Sequence, residues 1–361
     1  MKRSTKYSLK YLTASKRQKI AELFELYKFH LQSTINLMWD DKIPVKRYMS
    51  SKDIIWMGDL GGQYKQLIYK QASEIIRSVK SKKSKKSKPE VKNITIELDE
   101  RIVTIETSTD SAEFDKWIRL KLPFIQEGHK NRRIEMLIPL KEHKHSLKFK
   151  DWDLCKTIEL KKDYVKLIYE KEDLPVKTDG EKVAIDIGVN KLITTSKGQV
   201  IGSEIKRLLN KLNRRKQKSK NWFQTINEIK NYIGYCVNQL DLNNVNTLVM
   251  EELIGLTNKK NGRNNKITRK LLGYWNRALL EFRLELLCQT NRVNLIKVDP
   301  SYTSQMCSQC GHIFKNNRHG ERFRCVRCGY TADADYNASL NILCRYEEFI
   351  APHACKTGDM V

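Results

Sequence analysis

Near its C-terminus the chain reads TSQMCSQCGHIFKNNRHGERFRCVRCGYTADADYNASLNIL, residues 303–343. Two Cys-x-x-Cys pairs stand fourteen residues apart, each followed at once by a glycine (Gly311, Gly329) that suits a tight turn. Four thiolates at this spacing close a tetrahedral site of the Cys₄ zinc-ribbon kind. Cys307, Cys310, Cys325 and Cys328 therefore predict one bound Zn²⁺. A closed Cys₄ site has no open position for water or substrate, so that zinc is expected to be structural. The loop between the pairs is basic and suited to nucleic acid, and His312 and His319 read as loop residues rather than ligands. Only six residues separate Cys328 from Asp335. Whatever Asp335 does, it does from a fixed support.

The chain has nine cysteines, an odd number, and its basic N-terminus lacks the apolar stretch of a secretory signal. Cys155, Cys236, Cys288, Cys344 and Cys355 read as small hydrophobes in a reducing interior. No run of apolar residues is long enough to span a bilayer. The expected location is cytoplasmic, with nucleoid association when bound to DNA.

A formal charge of +26 over 361 residues narrows the function further. The Lys-rich tract 80–88 holds six lysines, and the rest of the chain keeps a large excess without it. Charge spread in this way fits a polyanionic partner, whose binding is salt-dependent through counterion release.

Pattern divides the chain. Residues 15–38 predict an amphipathic helix with Ser15 as N-cap and an apolar stripe from Ile20 to Met38, and 61–79 a second helix. From about 92 to 173 the period is two, in NITIELDE, RIVTIETS, RIEMLIPL, SLKFKD and TIELKKDYVKLIYEKE, which predicts an antiparallel sheet or small barrel. KYSLKYL at the N-terminus reads as a strand of the same domain, so the helices form an insertion in it. A linker is expected over 174–180. Beyond it VAIDIG, LITTS, QVIG, NTLVMEEL and VNLIKVD read as strands. They alternate with a long basic helical region, 204–240, and a helix over 266–290, so an α/β domain with a partly parallel sheet follows. Trp275 fits the core stripe of that last helix. Trp56, Tyr64 and Trp222 are weaker candidates for stacking on bases.

Three acids share one character. Asp186 lies inside an apolar strand, Glu251 ends another, and Asp335 opens the last helix. A carboxylate in such a strand is costly unless it is paired or binds a metal. Carboxylates converging from two strands and a helix can hold two divalent ions for phosphodiester hydrolysis, and hard oxygen ligands suit Mg²⁺ or Mn²⁺. Glu252 beside Glu251 faces the other side of its strand. Asp333 reads as a capping or supporting residue.

VAIDIGVNKLITTSKG, LVMEELIG and TSQMCSQCG…CVRCGYTADADYNASLNI, in this order, resemble the split RuvC motifs and zinc ribbon of TnpB. TnpB proteins are the RNA-guided nucleases of bacterial and archaeal insertion sequences, related to the miniature type V CRISPR effectors. The resemblance is detailed over about 181–345 and extends to the N-terminal half only in layout. It implies a multidomain α/β plus β fold: a β-barrel wedge domain (1–14 and 90–178) with a helical recognition insertion (15–89), and an RNase H-like RuvC nuclease domain (181–306 and 329–345). The zinc ribbon (307–328) is inserted in the latter, and a C-terminal tail (346–361) follows.

Asp186, Glu251 and Asp335 correspond to the family's catalytic, Mg²⁺-binding acids. The implied partners are a guide RNA and a double-stranded DNA target beside a short motif, with base pairing carrying most of the sequence information. A monomer on one guide is expected, a dimer being the alternative. The basic segment 204–240, with Arg207, Lys211, Arg214, Arg215, Lys216, Lys218 and Lys220, is the candidate heteroduplex contact. Two other readings stay open: a guided DNA-binding repressor without cleavage, and a guide-free RuvC-like nuclease.

Overall fold

The computed structural model describes residues 1–82, 87–107, 113–125, 133–252 and 277–350. The chain divides into two units, Met1–Glu172 and Asp173–Val361. Residues 83–86 of the Lys-rich tract, Trp275 with the first part of the helix expected at 266–290, and 351–361 of the tail lie outside the described residues.

In the first unit the alternating segments become two antiparallel sheets over one core. The strands are β1 (Lys2–Ser8), β2 (Ile96–Leu98), β3 (Val103–Thr107), β4 (Lys116–Ile125), β5 (Arg133–Leu140), β6 (Asp153–Leu160) and β7 (Tyr164–Glu170). One sheet has the order β1-β7-β6-β2 and the other β3-β4-β5. Helices α1 (Ala14–Trp39) and α2 (Gly62–Lys80) intervene between β1 and β2.

Helix α1 buries Ile20, Leu23, Phe24, Tyr27, Leu31, Ile35 and Met38, the stripe expected of it. Its cap is Thr13 rather than Ser15, because the Thr13 hydroxyl accepts the Lys16 N–H at 3.4 Å. SLKFKD is not a strand. Ser146–Phe149 forms a 3-10 turn, because the Ser146 hydroxyl donates to the His143 carbonyl and accepts the His143 N–H, local bonds that compete with a sheet ladder. Tyr64 is buried, with its hydroxyl donating to the Lys121 carbonyl, and Trp56 donates to Thr34. Both rings brace the core rather than stand ready for bases.

The second unit is built on a five-stranded sheet of order β10-β9-β8-β11-β12. Its strands are β8 (Glu181–Ile187), β9 (Ile193–Thr195), β10 (Val200–Ile201), β11 (Val245–Glu251) and β12 (Asn294–Val298). β8, β9 and β10 pair antiparallel, whereas β8–β11 and β11–β12 are parallel. Side chains alternate along each strand, which sorts the sheet into two apolar faces. Val183, Ile185, Leu248 and Met250 pack in one core with α3 (Ile205–Asn213), α4 (Lys220–Val237) and α5 (Arg277–Asn291). Ala184 and Val249 pack on the other side against Ile342 and Tyr346 of α6 (Ala334–Ile350).

The basic region 204–240 is two helices rather than one. Lys218 adopts φ 64° and Ser219 caps α4 by accepting the Trp222 N–H, so residues 214–219 form a break. Trp222 packs partly buried against the core of this unit. The last helix continues to Ile350, past the expected start of a tail at 346, because Tyr346 is buried on its sheet-facing side. Cys236 and Cys288 are core residues as expected and Cys155 is half-buried, whereas Cys344 is disulfide-bonded and departs from that reading. No helix among the described residues is long and apolar enough to cross a membrane.

Gly202 joins β10 to α3 at φ +83°, and a Cβ there would meet the Leu192 Cβ at 2.5 Å and the Cys236 Sγ at 3.2 Å. Strain and overpacking act together at such a site. Gly202→Ala is expected to cost about 2–3 kcal/mol of stability, measured as a fall in the thermal or denaturant midpoint; an unchanged midpoint would contradict the packing described.

Candidate metal and carboxylate site

Parallel register brings two of the acids together. Val249 pairs with Ala184 and Met250 with Ile185, so Glu251 and Asp186 stand at the next position of adjacent strands. Both lie in phase with Val249 and Ala184, on the face that α6 covers. Asp335 is the second residue of α6 and is buried. Glu252 is exposed. The fold thus gathers Asp186, Glu251 and Asp335 on one side of the sheet.

Their electrostatics follow from that crowding. Burial, then the negative charges of Glu251 and Asp335, push the Asp186 carboxyl up to about 7. Burial also raises Glu251, opposed by a hydrogen bond from the Thr303 hydroxyl and by the charges of Arg318 and Arg277. Arg318, on β13 (Arg318–His319), places Nη2 2.7 Å from the Asp335 Oδ1. Its charge reaches Asp186 and Glu251 as well, so one guanidinium serves three acids.

A supporting frame surrounds the acids. Asp333 accepts the backbone N–H groups of Asp335 and Tyr336, capping α6, and pairs with Lys191 from the β8–β9 hairpin. Asn337 and Asn341, one turn apart and almost fully buried, donate to the Met306 carbonyl. Asn341 also donates to the Thr303 carbonyl and so fixes the residue that holds Glu251. Arg318 was legible only as part of a basic loop; Thr303, Lys191 and the two asparagines carried no signal of a role.

The four cysteines sit beside this frame. Cys307 Sγ lies 3.7 Å from Cys328 Sγ, and Cys310 Sγ 3.6 Å from Cys325 Sγ. Thiolates about 2.3 Å from a tetrahedral zinc stand about 3.8 Å apart, so the quartet fits that ion. All four ligand atoms lie within 4.8 Å of one another, and among the described residues theirs is the one group of three or more candidate ligands drawn so close. The acids are spread more loosely, with Arg318 as counter-charge. Oxygen donors with unbalanced negative charge nevertheless fit hard divalent cations.

The ribbon's sheet consists of β13, β14 (Arg322–Arg324) and β15 (Thr331–Asp333), and β15 runs directly into α6. Ala334, the first residue of α6, is fully buried in a small core with Cys307, Cys325 and Phe323. Gly311 and Gly329 adopt φ 71° and 77°, the turns expected after each pair.

An α/β sheet thus carries three acids on one face, and a four-cysteine ribbon feeds the helix of the third. Parts of the chain are similar to known proteins. Residues 278–342 match the family model described as Cas12f1-like, TNB domain. The chain is 36% identical over 112 residues to the CRISPR-associated endodeoxyribonuclease Cas12f1 of Sulfoacidibacillus thermotolerans, covering 31% of this chain and 25% of that one. It is 31% identical over 215 residues to InsQ of Escherichia coli K12, whose name assigns it provisionally as an RNA-guided DNA endonuclease, covering 50% and 53% of the two. A TnpB-like protein of Aquifex aeolicus is 37% identical over 97 residues, covering 26% and 31%. The chain thus spans about a quarter to a half of the length of these relatives. A solved Cas12f1 bound to sgRNA and target DNA superposes with a TM-score of 0.54 at 15% identity, over 91% of this chain and 82% of that one, a likeness of fold. The resemblance to TnpB is borne out by these relatives.

An acid held above its ordinary pKa by the fold destabilises the folded state as it ionises. That penalty is absent below about pH 4, grows as pH rises towards 7 and is complete above it. Without divalent cations, Asp186→Asn is expected to raise stability at pH 8 by on the order of 1–3 kcal/mol, the gain shrinking towards pH 5. Thermal unfolding at the two pH values checks this, and a variant less stable than wild type at pH 8 would contradict it.

Proposed function

We propose that the chain is an RNA-guided DNA endonuclease of the TnpB type, which cuts double-stranded DNA matching its guide RNA. The observation that carries the reading is the meeting of Asp186, Glu251 and Asp335 on one sheet face. The strand order, three antiparallel strands followed by two parallel ones, supports an RNase H-like, RuvC-type domain over 181–306 and 329–345. The zinc ribbon is then residues 307–328. The first unit reads as the β-rich wedge (1–14 and 90–178) carrying a helical recognition insertion (15–89).

Asp186, Glu251 and Asp335 would hold two Mg²⁺ or Mn²⁺ ions. Such ions, when bound, activate the attacking water and stabilise the leaving 3′ oxygen. The residues of the chain do the rest. Thr303 holds the Glu251 carboxylate, Asp333 and Lys191 hold the start of α6, and Arg318 balances the charge of the acids. A zinc on Cys307, Cys310, Cys325 and Cys328 braces the ribbon and takes no part in hydrolysis. In the basic segment, Arg207 and Lys211 pair with Glu204 and Glu228, while Arg214, Arg215, Lys216, Lys218 and Lys220 are exposed on and beside the break. This short stretch is the proposed contact to the guide–target heteroduplex, in a monomer on one guide RNA.

Purification with the RNA retained from the native locus, sequencing of that RNA, and a cleavage assay on a matching duplex test the proposal. Cleavage is expected to require both guide and Mg²⁺. Asp186→Ala is expected to lower its rate by roughly 10²-fold or more, since such ions contribute several kcal/mol to the barrier. Cleavage without RNA would point to a guide-free nuclease, and guided binding that is never followed by cleavage to a repressor.

A further inference from the structure

Thr194 is 1% exposed, and its hydroxyl oxygen has no hydrogen-bond partner. A buried hydroxyl left in this state costs about 1–3 kcal/mol, so any partner brought within its reach would relieve that cost. Its position shows which group is near. Thr194 stands directly opposite Asp186 in the antiparallel β8–β9 pair. Side chains of such a pair share a face and lie about 4.5–5.5 Å apart at Cβ. The next pair, Ile187 with Ile193, points to the opposite core, which leaves Thr194 on the face of the three acids. Helix α6 packs over β8 and β9 and closes that face.

The other strand acid shows what a threonine does here. Glu251 accepts a hydrogen bond from Thr303, whose own backbone carbonyl is gripped by Asn341. Each of the two strand acids therefore has a threonine as neighbour, hydrogen-bonded to the acid in one case and without a partner for its hydroxyl in the other. We propose that Thr194 is a positioning residue of the carboxylate site, whose hydroxyl donates to Asp186 once divalent cations draw that carboxylate into its ligating orientation. The pairing lowers the cost of orienting Asp186 and removes the orphaned donor in the same movement. This rests on the reading of the three acids as cation ligands.

Manganese binding to the purified full-length protein tests it, followed by electron paramagnetic resonance of the free ion and by the thermal midpoint with and without Mn²⁺. Supporting groups of a metal site are each worth roughly 10–100-fold in affinity. Thr194→Val, which keeps the shape and removes the hydroxyl, is expected to weaken Mn²⁺ binding by that factor. Its midpoint without metal is expected to equal or exceed that of wild type, because an unpaired donor has gone. Thr194→Ser keeps a donor and is expected to restore binding. Wild-type Mn²⁺ affinity in Thr194→Val overturns the inference, as does a metal-free midpoint that falls in step with the affinity, since the hydroxyl would then serve only the fold. Undiminished Mn²⁺ binding in Asp186→Asn overturns the reading of the acids, and this inference with it.

Discussion

Ala334 is held by two structures at once. It is the first residue of α6 and also a fully buried member of the ribbon core, and its N–H donates to the Glu321 carbonyl at 2.9 Å. No loop separates the ribbon's last strand from the helix, so there is no slack between the cysteine knuckles and Asp335. Beyond that point α6 uses two sides. Ile342 and Tyr346 pack on the sheet, while Asn337 and Asn341 hold the backbone before Cys307. The helix is thereby fixed in rotation as well as in position.

Three acids on one apolar face repel one another and lose hydration, and the structure offsets this with groups drawn from separate elements. Arg318 comes from the ribbon, Thr303 from the segment leading into it, and Lys191 from the β8–β9 hairpin through Asp333. Each ties one acid to another part of the unit, and none of these ties lies within the strand that carries its acid. Charge that would destabilise the sheet is in this way held against counter-charges and hydrogen-bond donors.

Much of this was legible in the chain. The cysteine spacing marked the ribbon, the two-residue period marked strands of the first unit and short apolar runs those of the second, and Asp186 and Glu251 stood out because apolar strands rarely carry carboxylates, with Asp335 at the start of the last helix. What was not legible depended on distance in sequence or on local backbone chemistry. Arg318 and Asp335 are seventeen residues apart and Thr303 and Glu251 fifty-two, separations at which no periodicity speaks. The 204–240 segment kept a helical composition through its break, and only the positive φ at Lys218 and the Ser219 cap show where one helix ends and another begins. Strand β4, which carries Pro123, lies within the stretch from about 92 to 173 whose period of two predicted an antiparallel sheet. SLKFKD kept its alternation, yet the bonds of the Ser146 hydroxyl made it a turn.

The central claim is that the cysteine ribbon is a brace for the third acid. It is tested most directly by substituting Cys325 and Cys328 together with serine and measuring Mn²⁺ affinity at the acids by electron paramagnetic resonance, with circular dichroism to follow the sheets. The account predicts a loss of Mn²⁺ affinity of roughly 10–100-fold while most of the secondary structure is retained. Wild-type Mn²⁺ affinity in a protein that no longer holds zinc would contradict it.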